Sequence, residues 1–72
     1  MKSADIQRYF ENWQSEVDSA AQYRAMGTAE KNAKLAMVYE NLARVEEKHI
    51  LFWEAQLLKK GAKIPPRIRG TQ

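Results

Sequence analysis

Residues 35–57 read LAMVYENLARVEEKHILFWEAQL, and this stretch decides the fold. Its large apolar residues return at steps of three and four positions, which is the spacing of one face of an α-helix. The stripe consists of Leu35, Tyr39, Leu42, Trp53 and Leu57, and it also contains Glu46 and His49. Gly61 follows as a helix-terminating glycine. The stretch therefore predicts a long amphipathic helix that carries a carboxylate and the chain's single histidine in its apolar face.

A second amphipathic helix is predicted upstream. Its apolar residues follow the same spacing, and Glu16 lies within their arc. They are Ile6, Tyr9, Phe10, Trp13, Val17, Ala20 and Ala21. The region between the helices holds two turn signals, a helix stop at Gly27-Thr28 and an N-cap at Asn32.

The two turn positions predict different neighbours for Glu16. In an antiparallel hairpin, residues equidistant from the turn lie side by side. A turn near residue 31 or 32 therefore puts Glu16 level with Glu46 and His49. A turn at Gly27-Thr28 would instead put Glu16 about 13 Å from the Glu46/His49 pair along the helix axis, at a rise of 1.5 Å per residue. We favour Asn32 as the cap, which leaves Gly27 inside the first helix.

Length and composition limit the architecture. A chain of 72 residues, 44% apolar and without cysteine, forms one small domain that lacks disulfides. Domains of this size usually need metal or oligomerisation for stability, and one hairpin cannot bury two apolar stripes. We therefore predict an all-α fold in which residues 1–61 form a two-helix antiparallel hairpin that dimerises into a four-helix bundle. Apolar residues outside the main stripe predict a second contact surface; they are Met37, Leu51, Phe52 and Leu58.

The charge distribution argues against a nucleic-acid partner. Of the twelve basic residues, five lie from residue 59 onward, so the rest of the chain is slightly acidic despite a net charge of +3. We interpret residues 62–72 as a basic, proline-containing tail or linker, which could also contact anionic lipid. No apolar run is long enough for a membrane span, and the amino terminus lacks the apolar core of a signal peptide. A soluble, cytoplasmic chain is expected.

Glu16, Glu46 and His49 are the candidate metal ligands. Four-helix carboxylate proteins bind two metals with one Glu from each of two helices and a Glu-x-x-His pair from each of the others. This chain has one such Glu and one such Glu-x-x-His pair, so two chains would supply a complete site. Carboxylate oxygens with one imidazole per metal suit Fe(II) or Mn(II). Glu47 lies off the stripe, so solvent exposure is its default and a role as an additional ligand its alternative.

Two segments resemble a known family. WQSEVDSAAQYR (residues 13–24) and LARVEEKHILFWEAQLLKKGAKIPPR (residues 42–67) resemble the ferritin-like, or rubrerythrin-like, domain at the amino terminus of bacterial vacuolar-iron-transporter-type membrane proteins. The same half-site is similar to encapsulated ferritins, whose two-helix chains pair around a di-iron centre. The resemblance implies that Glu16, Glu46 and His49 bind iron, or manganese, across the axis of a homodimer or a higher even oligomer.

The resemblance also implies a function and a cellular setting. It predicts a ferroxidase that binds Fe(II) and oxidises it, at the cytoplasmic face of a membrane if a carboxy-terminal transmembrane transporter domain is attached. A non-catalytic module that binds or senses Fe(II) or Mn(II) for a transporter is one alternative, and a metal-free helical dimerisation domain is another. The chain lacks the cysteines of a rubredoxin-type site, so the peroxidase activity typical of rubrerythrins is not expected.

Overall fold

The computed structural model describes residues 2–67, which form an antiparallel helical hairpin. Helix α1 spans Lys2–Ala29 and helix α2 spans Ala33–Lys59. The two helices pack against each other, which confirms the predicted all-α fold and its two-helix hairpin. Within the described residues, neither helix has an apolar stretch long enough to cross a bilayer.

The turn forms where Asn32 was predicted to cap the second helix. Asn32 has extended backbone angles (φ −79°, ψ 118°), and its side chain accepts a hydrogen bond from the Leu35 amide at 3.1 Å. The Glu30 carboxylate accepts a hydrogen bond from the Asn32 amide at 3.1 Å. Gly27 lies inside α1, as predicted, and is buried against α2. The choice of the later turn is therefore confirmed.

Helix α2 ends at Lys59, and Gly61 follows as the predicted terminating glycine. Gly61 has φ +80°, in the left-handed region that glycine adopts without steric cost. Its amide donates to the Leu58 carbonyl at 3.0 Å, and the Ala62 amide donates to the Leu57 carbonyl at 3.0 Å. These two bonds form a Schellman motif, which satisfies carbonyls at the helix end and turns the chain back toward the hairpin.

The core lies on one line between the helices. Trp13, Val17 and Ala20 of α1 pack against Ile50 and Leu57 of α2, and all five are buried. The predicted stripe of α1 is thus confirmed at its centre.

The stripe of α2 was predicted less well. Leu35, Leu42 and His49 are exposed, whereas Ala43 and Ile50, outside the predicted stripe, are buried. One helix can cover only one edge of a wide apolar stripe, so the contact line is rotated toward Ile50.

The described part of the tail, residues 62–67, contains no helix or strand and lies against the hairpin. Ala62 and Ile64 pack on the core. Arg67 forms ion pairs with Glu54 and Glu47 of α2. Residues 68–72 of the predicted tail lie outside the described residues, and the boundary at residue 61 stays a prediction.

Candidate metal centre

The hairpin brings together the three residues that the sequence singled out. Glu16 comes from the middle of α1, while Glu46 and His49 stand one turn apart on α2. Each offers one potential ligand atom, and these atoms lie within 4.8 Å of one another. His49 Nδ1 is 3.4 Å from Glu46 Oε1 and 3.5 Å from Glu16 Oε1. Because side chains from two helices converge on one point, the helix register confirmed by the Asn32 cap positions the cluster.

The Glu46 carboxylate is the least satisfied part of the cluster. Its side chain is 19% exposed. Its Oε1 atom is buried and has no hydrogen-bond partner, because the 3.4 Å contact with His49 meets an ion-pair distance but not hydrogen-bond geometry. A buried carboxylate oxygen without a partner is costly unless a cation or donor occupies the adjacent space. The donor set and this orphaned oxygen fit a divalent cation.

The electrostatics of the cluster point the same way. The pKa of Glu16 is raised, chiefly because a hydrogen bond shared with Glu46 favours the protonated acid. Partial burial and repulsion from the Glu46 charge raise this pKa further, while His49 opposes them. Two carboxylates that crowd one another in this way would both be relieved by a shared positive ion.

The cluster lies at the surface of the single hairpin. The His49 side chain is 51% exposed and that of Glu16 is 26% exposed. On α2 the surface around His49 is apolar, since Val38, Leu42, Val45 and Phe52 are all exposed. With Leu35 and His49 they recur at alternating steps of three and four residues, the pattern of a helix–helix contact surface. We call Leu35, Val38, Leu42, Val45, His49 and Phe52 the α2 seam.

Tyr9, Phe52 and Trp53 pack together about one turn beyond His49, and we call them the aromatic wall. Trp53, one turn after His49, packs against Tyr9 at a ring-centroid distance of 5.3 Å and against Phe52 at 5.0 Å. Trp13 is 2% exposed, and its ring makes an edge-to-face contact with that of Phe10. These contacts fit the interpretation of the aromatic residues as core packing.

An ion-pair network on the other side of α2 was not predicted. Arg67 donates to both oxygens of Glu54, at 2.8 and 2.9 Å, and to Glu47 at 2.9 Å. Arg24 of α1 donates to Glu47 at 2.6 Å, and the Trp13 indole donates to Glu54 at 3.0 Å. The bonds from Arg67 are the main cause that lowers the pKa of Glu54, and Glu54 in turn raises the pKa of Arg67.

The network changes the interpretation of Glu47. It is half-buried rather than exposed, and both of its oxygens contact arginines. It does not belong to the ligand cluster found among the described residues. One sequence signal was available: Glu47 and Glu54 are two turns apart on one side of α2, and the indole of a buried Trp13 requires an acceptor. Nothing in the spacing identified Arg67 as their partner.

Comparison with known proteins adds no further constraint. No protein-family model, curated protein or solved structure matches the chain.

Proposed function

We propose that this chain binds Fe(II) through Glu16, Glu46 and His49, and that two hairpins facing each other form a two-metal site that oxidises it. The observation that carries the proposal is the buried, unpartnered Oε1 atom of Glu46, within a cluster of two carboxylates and an imidazole. Oxygen donors with a single imidazole suit Fe(II) or Mn(II) better than a closed structural zinc site. Iron is the substrate in this proposal.

The α2 seam supports pairing of two hairpins. One chain offers three ligands, which leaves a metal with open positions, and the half-exposed His49 faces away from the hairpin core. A second copy on the seam would bury its four exposed aliphatic residues and bring two clusters together. The product would be the ferritin-like four-helix bundle that the family resemblance suggests.

In this proposal the residues of the chain position the metal, and the iron itself supplies the electrons. Glu16, Glu46 and His49 would hold and orient Fe(II), and the aromatic wall would restrict water at one end of the site. Two Fe(II) ions together give two electrons to one oxygen molecule. With two protons the balance is two Fe(III) and one hydrogen peroxide.

Native mass spectrometry under anaerobic conditions tests the site directly, because one spectrum reports both chain count and metal count. We expect an even oligomer with one Fe(II) per chain. Glu16→Ala and His49→Ala should lose the iron, whereas Glu40→Ala, which removes an exposed acid of α2 outside the cluster, should keep it. If the chain binds neither Fe(II) nor Mn(II), the proposal is overturned and a metal-free helical interaction module is favoured.

Oxygen consumption then separates an enzyme from a sensor. If the site is a ferroxidase, adding oxygen to the loaded protein should consume one O₂ for every two Fe(II) and release peroxide faster than Fe(II) in buffer does. A non-catalytic Fe(II) or Mn(II) module for an attached transporter remains the second candidate, favoured by the same ligand cluster. It predicts the same metal count with an oxidation rate no higher than that of buffer.

A further inference from the structure

The carboxy-terminal half of α2 exposes a second apolar surface. Leu51 and Leu58 are 57% and 62% exposed, and Ala55 lies between them on the same side of the helix. They recur at steps of four and three residues, so they form one short stripe about two turns long. We call Leu51, Ala55 and Leu58 the outer patch.

The outer patch is separate from the α2 seam. Leu42 and Leu51 are about two and a half helical turns apart, which places them on opposite sides of α2. A second hairpin that covers Leu42 therefore leaves Leu51 exposed. The patch is also outside the core and the arginine network, so neither the fold nor the metal centre explains it.

The charges around the outer patch are positive. Lys48 is one turn before Leu51 and Lys59 is one residue after Leu58; both are exposed, and neither forms an ion pair with another described residue. The nearest acids on that flank, Glu47 and Glu54, are already paired with arginines. Glu40, toward the start of the helix, is the remaining acid near this side of α2.

We propose that the outer patch lies on an anionic lipid surface. Leucine side chains bordered by lysines suit the boundary between headgroups and acyl chains, because lysine stems lie along apolar surface while the ammonium groups reach phosphate. Charge complementarity favours this partner over a second copy of the chain. Symmetric contact through the patch would bring Lys48 and Lys59 of two copies toward one another, whereas anionic lipid neutralises them. This inference does not depend on metal binding.

Sedimentation with lipid vesicles tests the inference on the full chain. Vesicles of phosphatidylcholine mixed with phosphatidylglycerol should bind the protein, and vesicles of phosphatidylcholine alone should bind it far less. Lys59→Glu should weaken binding by more than roughly tenfold, since each lysine contributes about fivefold and the substitution reverses its sign. Lys31→Glu, the same charge change in the turn at the other end of the hairpin, should have little effect.

The apolar half of the patch is tested separately. Leu51→Ser with Leu58→Ser should weaken vesicle binding while circular dichroism stays unchanged, because both side chains are exposed. Equal binding to neutral and anionic vesicles, or equal loss with Lys31→Glu and Lys59→Glu, would overturn the proposal. So would a double serine variant that keeps vesicle binding and instead lowers the oligomer mass, since the patch would then be an interface between copies.

Discussion

At the scale of single residues, Glu46 and Glu47 show how position in a helix decides the use of identical side chains. Glu46 joins the ligand cluster and keeps an unpartnered oxygen, while its neighbour is bound by Arg24 and Arg67. One acid is thus available to a cation and the other is not. The first therefore costs stability in the metal-free protein, and the second does not.

Replacing Glu46 by leucine should stabilise the metal-free chain. The substitution removes a buried oxygen without a hydrogen-bond partner, and the free energy of unfolding should rise by about 1 kcal/mol. Urea denaturation in the presence of a chelator measures this. Fe(II) should stabilise the natural chain but not the variant, because a ligand of the folded state stabilises only what it binds. Equal stability of the two proteins with and without iron would favour the metal-free interpretation.

Glu54 should make stability depend on pH in the acid range. Its pKa is lowered from an ordinary value of 4.5 in the folded chain, so its contribution is complete above that value and is lost as pH falls through the lowered pKa. Glu54→Gln should cost about 1 kcal/mol at neutral pH, where Arg67 loses one of its two charged partners, and less in acid. Urea titrations at several pH values measure this. The control Glu40→Gln should leave the profile unchanged.

At the scale of helices, the sequence predicted the two helices, their turn and the glycine after α2, because capping signals act locally. Asn32 and Gly61 do what their residue types favour in any context. The sequence also predicted which of its polar residues meet, since register follows from the position of the turn. It did not predict that Ala43 and Ile50 would be the buried residues of α2, because the rotation of the helix depends on how its side chains fit against Trp13.

Two glycine substitutions should change stability in opposite directions. In Gly27→Ala the added Cβ would lie 3.4 Å from the Ala36 carbonyl oxygen and 3.4 Å from Tyr39 Cβ, which is ordinary contact. The variant should therefore gain up to about 1 kcal/mol of helix propensity. Gly61→Ala meets no neighbouring atom but would be held at φ +80°, at a cost of about 1 kcal/mol. Thermal denaturation of both variants measures whether stability rises or falls. A loss of stability in Gly27→Ala would show that the two helices do not move apart enough to accommodate the added methyl group.

At the scale of the whole molecule, the hairpin has surfaces with different roles. The core holds the helices together, the α2 seam surrounds His49, and the outer patch faces the opposite way. Residues 62–67 of the tail cover a further side of the hairpin, where Arg67 forms an ion pair with Glu54 of α2. This contact was not predictable from the sequence, since an arginine beside two prolines is equally consistent with a solvated linker.

Leu42→Lys should separate paired hairpins. It places a charge in the centre of the α2 seam, so sedimentation should report a single chain, and iron per chain should fall even though every ligand is retained. The matched substitution Leu51→Lys, on the opposite side of the same helix, should leave both the mass and the iron content unchanged. If neither variant changes the mass, the seam is not the contact surface.

The adjacent glutamates of α2 also bear on how the helix settles into one alignment. A slip of one position would exchange Glu46 for Glu47, and the carboxylate at that point would be the same. The slip would nevertheless put Ile50 in the place of His49, and it would put Arg44 in the place of Ala43, which is buried. The small, buried Ala43 with an arginine beside it therefore opposes the misaligned state, because the slip would bury a charged side chain where the acids themselves do not distinguish the two alignments.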